Sequence, residues 1–180
     1  MADSHRPVTR RLRLFLRDFR MIEAFVSAAE GQSLTSYVSN RRRYINLRAA
    51  HWADATSDHS HAALQVAHVL WASAPDGDMP LVNSSGVSRS RDVEMQLEDG
   101  LLVRGSLPMF EQQRLSDFLE STTTFIPVQA ARLLRSGRPP KESNVDLGDI
   151  IVNQAALQAI WEAEGGAPVS EITRDWSEGE

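Results

Sequence analysis

From Leu97 to Leu119 the chain reads LEDGLLVRGSLPMFEQQRLSDFL, with apolar and polar residues alternating on both sides of Asp99-Gly100. Alternation of period two puts one face of a strand against a core, and Asp-Gly supplies the left-handed residues of a tight hairpin turn. The pattern therefore predicts a strand, a turn at Asp99-Gly100, a second strand ending at Leu107 and a short helix from about Arg114. It recurs 81 residues earlier, from Leu16 to Val38, as LRDFRMIEAFVSAAEGQSLTSYV. Two copies of one unit are expected, with matching apolar positions and divergent surfaces.

In the first unit Leu12, Leu14 and Leu16 begin a strand with one wet face, a turn falls near Asp18-Phe19-Arg20, and a strand follows from Met21 to Val26. Ser33 or Thr35 is placed to cap a short helix through Val38. A strand from Tyr44 to Trp52, a polar loop over 53–62 and an apolar strand from Leu64 to Trp71 complete the unit. In the second unit Leu115 falls on Leu34, Phe118 on Tyr37, Phe125 on Tyr44, Ala130 on Ala49, and Ile150-Ile151-Val152 on Val69-Leu70-Trp71. A last strand runs from Ala155 to Trp161. The expected organisation is a basic N-terminal arm (1–11), a first repeat (12–72), a Ser/Gly/Pro-rich linker (73–91), a second repeat (92–163) and an acidic tail (164–180). Each repeat reads as β-β-α-β-β, with a fifth strand in the second. A five-stranded sheet that small buries its apolar face by curling into a barrel or packing on another sheet. The expected fold class is thus mainly β: two tandem small barrels, each with one short helix, plus extended terminal arms.

Val93-x-Met95-x-Leu97-x-Asp99-Gly100-x-x-Val103-x-Gly105-x-Leu107 resembles the first signature of Sm-like (SH3-like) small β-barrels. Ile150-Ile151-Val152-Asn153-Gln154-x-x-Leu157-x-x-Ile160 is similar to the second. The helix between the second and third strands resembles an uncharacterised bacterial family of duplicated small barrels. Sm proteins that bind RNA carry an Asp-x-x-Asn loop and an Arg-Gly bend. Pro108-Met109-Phe110 and Asn153-Gln154 stand in those places, so the resemblance implies the fold and carries over no RNA-binding residue.

Composition narrows the chemistry. The 180 residues are 42% hydrophobic and contain no cysteine, which excludes disulfides, thiol catalysis and thiolate metal sites. No apolar run reaches the roughly 18 residues of a membrane span, and the N-terminal stretch lacks the apolar segment of a secretory signal. Residues 1–90 hold 11 Arg against 8 acids (+3), and residues 91–180 hold 8 Lys/Arg against 16 acids (−8), together the net −5 of the chain. His59-x-His61 with Asp54 and Asp58 offers nitrogen and oxygen ligands in a Ser/Ala-rich loop that would orient them poorly, so no metal is expected. Asp117 has no predictable partner and reads as a helix-end residue. No nucleophile triad, phosphate-cradling loop or dinucleotide fingerprint is present, and neither an enzyme nor a cofactor is expected.

What remains is surface. Arg41-Arg42-Arg43, with Arg10 and Arg11 from the leader, is read as a basic face for an acidic protein or anionic lipid headgroups. Ile172 and Trp176, four apart in the acidic tail, are read as anchors for a partner groove. The function expected is that of a non-catalytic structural subunit docking on a larger multiprotein assembly, cytoplasmic or peripheral on the inner membrane. Within that class the specific expectation is an accessory subunit of a photosynthetic reaction centre–antenna complex. The alternative is an Sm-like nucleic-acid-binding regulator, which a pI near 5.5 disfavours.

Overall fold

The structure, a computed structural model, describes residues 6–41, 43–53, 58–83, 89–122, 124–135 and 144–163. The first half contains β1 (Pro7–Leu16), β2 (Met21–Ala29), α1 (Leu34–Ser39), β3 (Tyr44–Trp52), β4 (Asp58–Gln65), a 3-10 turn (Val66–His68) and β5 (Val69–Ser73). The second contains β6 (Arg89–Leu97), β7 (Leu102–Met109), α2 (Leu115–Ser121), β8 (Phe125–Arg135), β9 (Val145–Asn153), a 3-10 turn (Gln154–Ala156) and β10 (Leu157–Glu162). The protein is mainly β. Its strands form one ten-stranded antiparallel sheet in the order β10-β6-β7-β8-β9-β5-β1-β2-β3-β4. The sheet is not closed: its outer strands are β10 and β4. In each half the last strand lies beside the first, so both halves present the same strand order, and they meet where β5 pairs with β9 (Trp71 opposite Val152, Ala72 opposite Ile151).

Both hairpin turns form where the alternation breaks. Asp99 (φ 57°) and Gly100 (φ 73°) turn β6 into β7, closed by Leu97 N donating to Leu101 O at 2.8 Å. In the first half Phe19 takes the place of Gly100 and adopts φ 67°, a conformation that costs an L-residue roughly 1–2 kcal/mol. Its ring meets Phe15 edge-on (centroids 6.0 Å apart, 80°), and Phe15 stacks on Trp71 (4.0 Å, 11°). Ala49 (φ 44°) and Ala130 (φ 46°), one repeat apart, sit at matching bulges in β3 and β8. α1 begins at Ser33, whose Oγ accepts from Ser36 N at 3.2 Å.

Two cores lie along the sheet. Leu12, Leu14, Leu34, Ile45, Leu47 and Val69 belong to the first, and Met95, Leu97, Val103, Leu107, Ile126 and Val128 to the second. They interlock at the junction: Phe125 and Ile151 are buried in the first core, while Leu70 and Trp71 are buried in the second. Asn153, 1% exposed, bridges the halves by donating from Nδ2 to Val69 O at 2.8 Å, and Arg17 donates to the Glu98 carboxylate from across the seam.

The strand count and part of the alignment differ from expectation. Residues 58–62 belong to β4 rather than to a loop, and the stretch Leu64–Trp71 is broken by the 3-10 turn, so both halves have five strands. Elements match at a separation of 81 residues through β3 and β8, then at 88. β8 is two residues longer than β3, β9 is one longer than β4, and the intervening segment covers 136–144 instead of 53–57. Ile150–Val152 therefore corresponds to residues 62–64 of β4, and Val69–Trp71 to residues 157–159 of β10. Lengthening a connection between strands costs little chain entropy, which lets the two halves differ there. Pro7–Arg11, expected in the N-terminal arm, form the outer half of β1 against β2. In the expected linker, Met79 and Leu81 are buried in the first core. The tail, 164–180, lies outside the described residues. Among the described residues no helix is long and apolar enough to cross a membrane.

Candidate partner-binding surface

The alternation of β1 turns Leu12 and Leu14 into the core and sets Arg11 and Arg13 along the opposite face, with Arg10 on the Leu12 side beyond the core. Arg10 donates to Asp78 at 3.0 Å. Arg11 donates to Glu23 and lies 3.7 Å from Asp76, and Arg13 donates to Glu23 at 2.8 and 2.7 Å. Burial works to raise the Glu23 pKa, but the hydrogen bonds from Arg11 and Arg13 outweigh it and hold this carboxyl below its ordinary value. His51 Nε2 stands 3.8 Å from the same carboxylate. The charges of Arg10 and Arg11 are thus met inside the chain, and a partner at these residues would have to compete for them.

Arg41 is placed differently. It follows α1, and its guanidinium lies 4.6 Å from the ring centroid of Tyr37, a cation–π contact. Tyr37 is buried, and burial pushes its phenol pKa up against the opposing influence of Arg41. Together they wall a cleft of about 640 Å³ whose other polar lining comes from Ser27, Asn46, Arg48 and His61. No carboxylate is among its described lining residues, and Arg41 Nε is buried there without a hydrogen-bond partner. The register accounts for part of this: Arg48 of β3 stands directly opposite His61 of β4, while Tyr37, Leu47 and Ala62 bring the core side of the first half into the same cleft. Planar guanidinium groups in a partly dry cleft suit carboxylate or phosphate oxygens, which they bind in paired, charge-assisted hydrogen bonds.

Of the other expected site residues, Arg43 is exposed, its carbonyl accepting from Val66 N at 2.8 Å. Arg42, Ile172 and Trp176 lie outside the described residues. The structure thus lines one cleft with Arg41, Arg48 and His61, and pairs Arg10 with Asp78 and Arg11 with Glu23 and Asp76 elsewhere. Arg48 was missed because a lone Arg in a strand carries no signal until the cross-strand register is known. His59 and His61 are exposed on β4, and no cluster of metal ligands occurs among the described residues. Asp117 is exposed in the first turn of α2 and accepts from Ser116 Oγ at 3.3 Å.

The cleft adjoins an edge: His61, Ala62 and Ala63 belong to β4, whose outer side carries no strand among the described residues. Tyr44, at the start of neighbouring β3, is 50% exposed. At the opposite edge Trp161 of β10 is 40% exposed and donates from Nε1 to Glu94 at 3.1 Å. Comparison with protein-family models, curated proteins and solved structures gives no match to this chain.

Proposed function

We propose that this protein is a non-catalytic interaction subunit, built as two Sm-like small barrels joined at β5 and β9, that docks on a larger assembly. The observation that carries this reading is the β4 edge with the Arg41–Arg48–His61 cleft beside it. An edge strand offers a row of unpaired N–H and C=O groups to an added strand, and the cleft offers cations to carboxylate or phosphate groups that such a partner brings. Two guanidinium groups and an imidazole line this cleft with no carboxylate among its described lining residues, so an arriving anion would supply the acceptor that the cleft lacks. The Arg41–Arg43 run extends this cationic surface toward an acidic protein or an anionic membrane face, and Ile172 and Trp176 supply a second point of attachment from the tail. The fit is to a protein partner or a lipid headgroup rather than to an extended nucleic acid, since the chain as a whole is acidic.

The test is retention of the full chain as bait with native membranes and cytosol under mild conditions, beside an Arg41→Gln/Arg48→Gln variant. Specific partners held by the unaltered chain, weakened by the double substitution and by added salt, support the reading. A partner set indifferent to both removes the cleft from it.

A further inference from the structure

After β5 the first half does not simply exit. The chain turns at Ala74–Gly77, where Gly77 N donates to Ala74 O at 3.1 Å and Gly77 holds φ 67°. It then lies across α1: Pro80 O accepts from Leu34 N at 2.8 Å, and Leu81 O accepts from Thr35 N at 3.2 Å and Thr35 Oγ1 at 2.6 Å. Met79 and Leu81 are buried, and Leu34 beneath them is 1% exposed. This strap completes the first core over α1.

In the second half the same helix carries no such strap among the described residues. Leu115, one repeat after Leu34, is only half-buried, as is Leu119, whose counterpart Val38 is fully buried. Neighbouring Phe110 is 56% exposed. Among the described residues no backbone carbonyl accepts from the amides of Leu115 or Ser116, the counterparts of Leu34 and Thr35. β10 ends at Glu162, one residue past the counterpart of the end of β5, and Ala163 N donates to Asp92 O at 2.8 Å.

At the 88-residue separation that relates β5 to β10, the following residues match the strap. Glu164 falls on Asp76, Gly165 on Gly77, Ala167 on Met79, Pro168 on Pro80 and Val169 on Leu81. The glycine recurs where the first strap needs a left-handed residue, the proline recurs beside the carbonyl that meets the helix, and an apolar residue recurs where Leu81 enters the core. We propose that the half-buried apolar side of α2, at Leu115 and Leu119, is a docking site for this chain's own residues 164–169, taken up as residues 76–81 lie across α1. The proposal concerns the chain's internal packing and stands or falls apart from the assembly reading.

Residue-level hydrogen exchange on the full chain tests it. In the unaltered protein the amides of Leu115 and Ser116 should be protected, as should those of Leu34 and Thr35, which are hydrogen-bonded to Pro80 and Leu81. Val169→Asp should speed exchange at Leu115 and Ser116 by about tenfold or more while leaving Leu34 and Thr35 unchanged. Leu81→Asp serves as the calibrating variant and should release Leu34 and Thr35 instead. Core amides of β7 and β8 report whether either variant has lost the fold as a whole. Exchange of Leu115 and Ser116 at the free-amide rate in the unaltered chain overturns the proposal, and so does their indifference to Val169→Asp.

Discussion

Gly105 of β7 packs against the bulge in β8, and replacing it with alanine asks how much that bulge can give. A Cβ placed there meets Val128 Cγ1 at 2.5 Å, Gln129 O at 2.9 Å and Ala131 Cα at 3.2 Å. Two of these are backbone atoms flanking Ala130, which already holds φ 46°, and Val128 is fully buried, so neither wall can retreat without disturbing the β8·β9 register. Overpacking of this kind costs about 1–3 kcal/mol. Against it stands the stiffer unfolded chain of alanine, a gain of about 0.4–1 kcal/mol. The net loss expected for Gly105→Ala is about 1–2 kcal/mol, and at about 2–4 °C per kcal/mol for a chain of this size the melting temperature should fall by about 2–8 °C. In the first half the same place is held by Ala24, buried at 1% exposure with its methyl accommodated, so the clash belongs to the second half and not to the strand pattern. Calorimetry and urea denaturation of the purified protein measure the change. A variant that melts at or above the unaltered temperature would refute the argument, because the bulge would then be soft enough to accept a methyl.

Trp71→Ala removes the ring stacked on Phe15 at the junction and should cost about 3–5 kcal/mol, with denaturation changing from one transition to two as the halves uncouple; a single unshifted transition counts against the interlocked cores. Glu23 has its pKa lowered on folding, so its contribution is present above its unfolded value and is lost as pH falls through the lower folded one. The stability gap between the unaltered protein and Glu23→Gln should therefore close on acidification, and a gap constant with pH would show that Arg11 and Arg13 do not hold that carboxylate charged. Neutralising Arg41, Arg42 and Arg43 together as glutamines should weaken binding to anionic vesicles or an acidic partner and lessen its salt dependence, read by co-sedimentation; binding that is unchanged and salt-independent would discard the basic run.

Much of the sheet was legible because alternation in β1, β2, β6 and β7 is clean and both turns carry their own signals. What escaped the sequence was polar: β4 reads DHSHAALQ, an edge strand with little to bury and hence no alternation to detect. Missing it displaced the later alignment by one strand, which put Ile150–Val152 on β5 instead of β4. The cleft was half legible. Arg41 was found as part of a charge run, but Arg48 and His61 meet it only through a cross-strand register that no local pattern encodes. Arg10 and Arg11 looked free in sequence because Asp76 and Asp78, which bind them, lie far along the chain.

The alignment of the halves also explains why the sheet stops at ten strands. The β5·β9 seam is made by Phe15, Leu70 and Trp71 on one side and by Phe125, Ile151 and Val152 on the other. At the outer edges the corresponding residues are Gln96, Gln158 and Ala159 on the β6–β10 side, and Tyr44, Ala63 and Leu64 on the β3–β4 side. A second copy placed edge to edge in the same geometry would form ladder hydrogen bonds but bury little apolar surface. Net ladder bonds contribute only about 0.5–1.5 kcal/mol each, too little to offset the association entropy of at least about 4 kcal/mol from the two-pair contact seen at the seam. Polar replacement at exposed edges is how β proteins avoid endless sheet growth. A partner at β4 must therefore bring anchors of its own, and the cations of Arg41 and Arg48 specify what one of those anchors is: a carboxylate or a phosphate, delivered to the open side of the cleft.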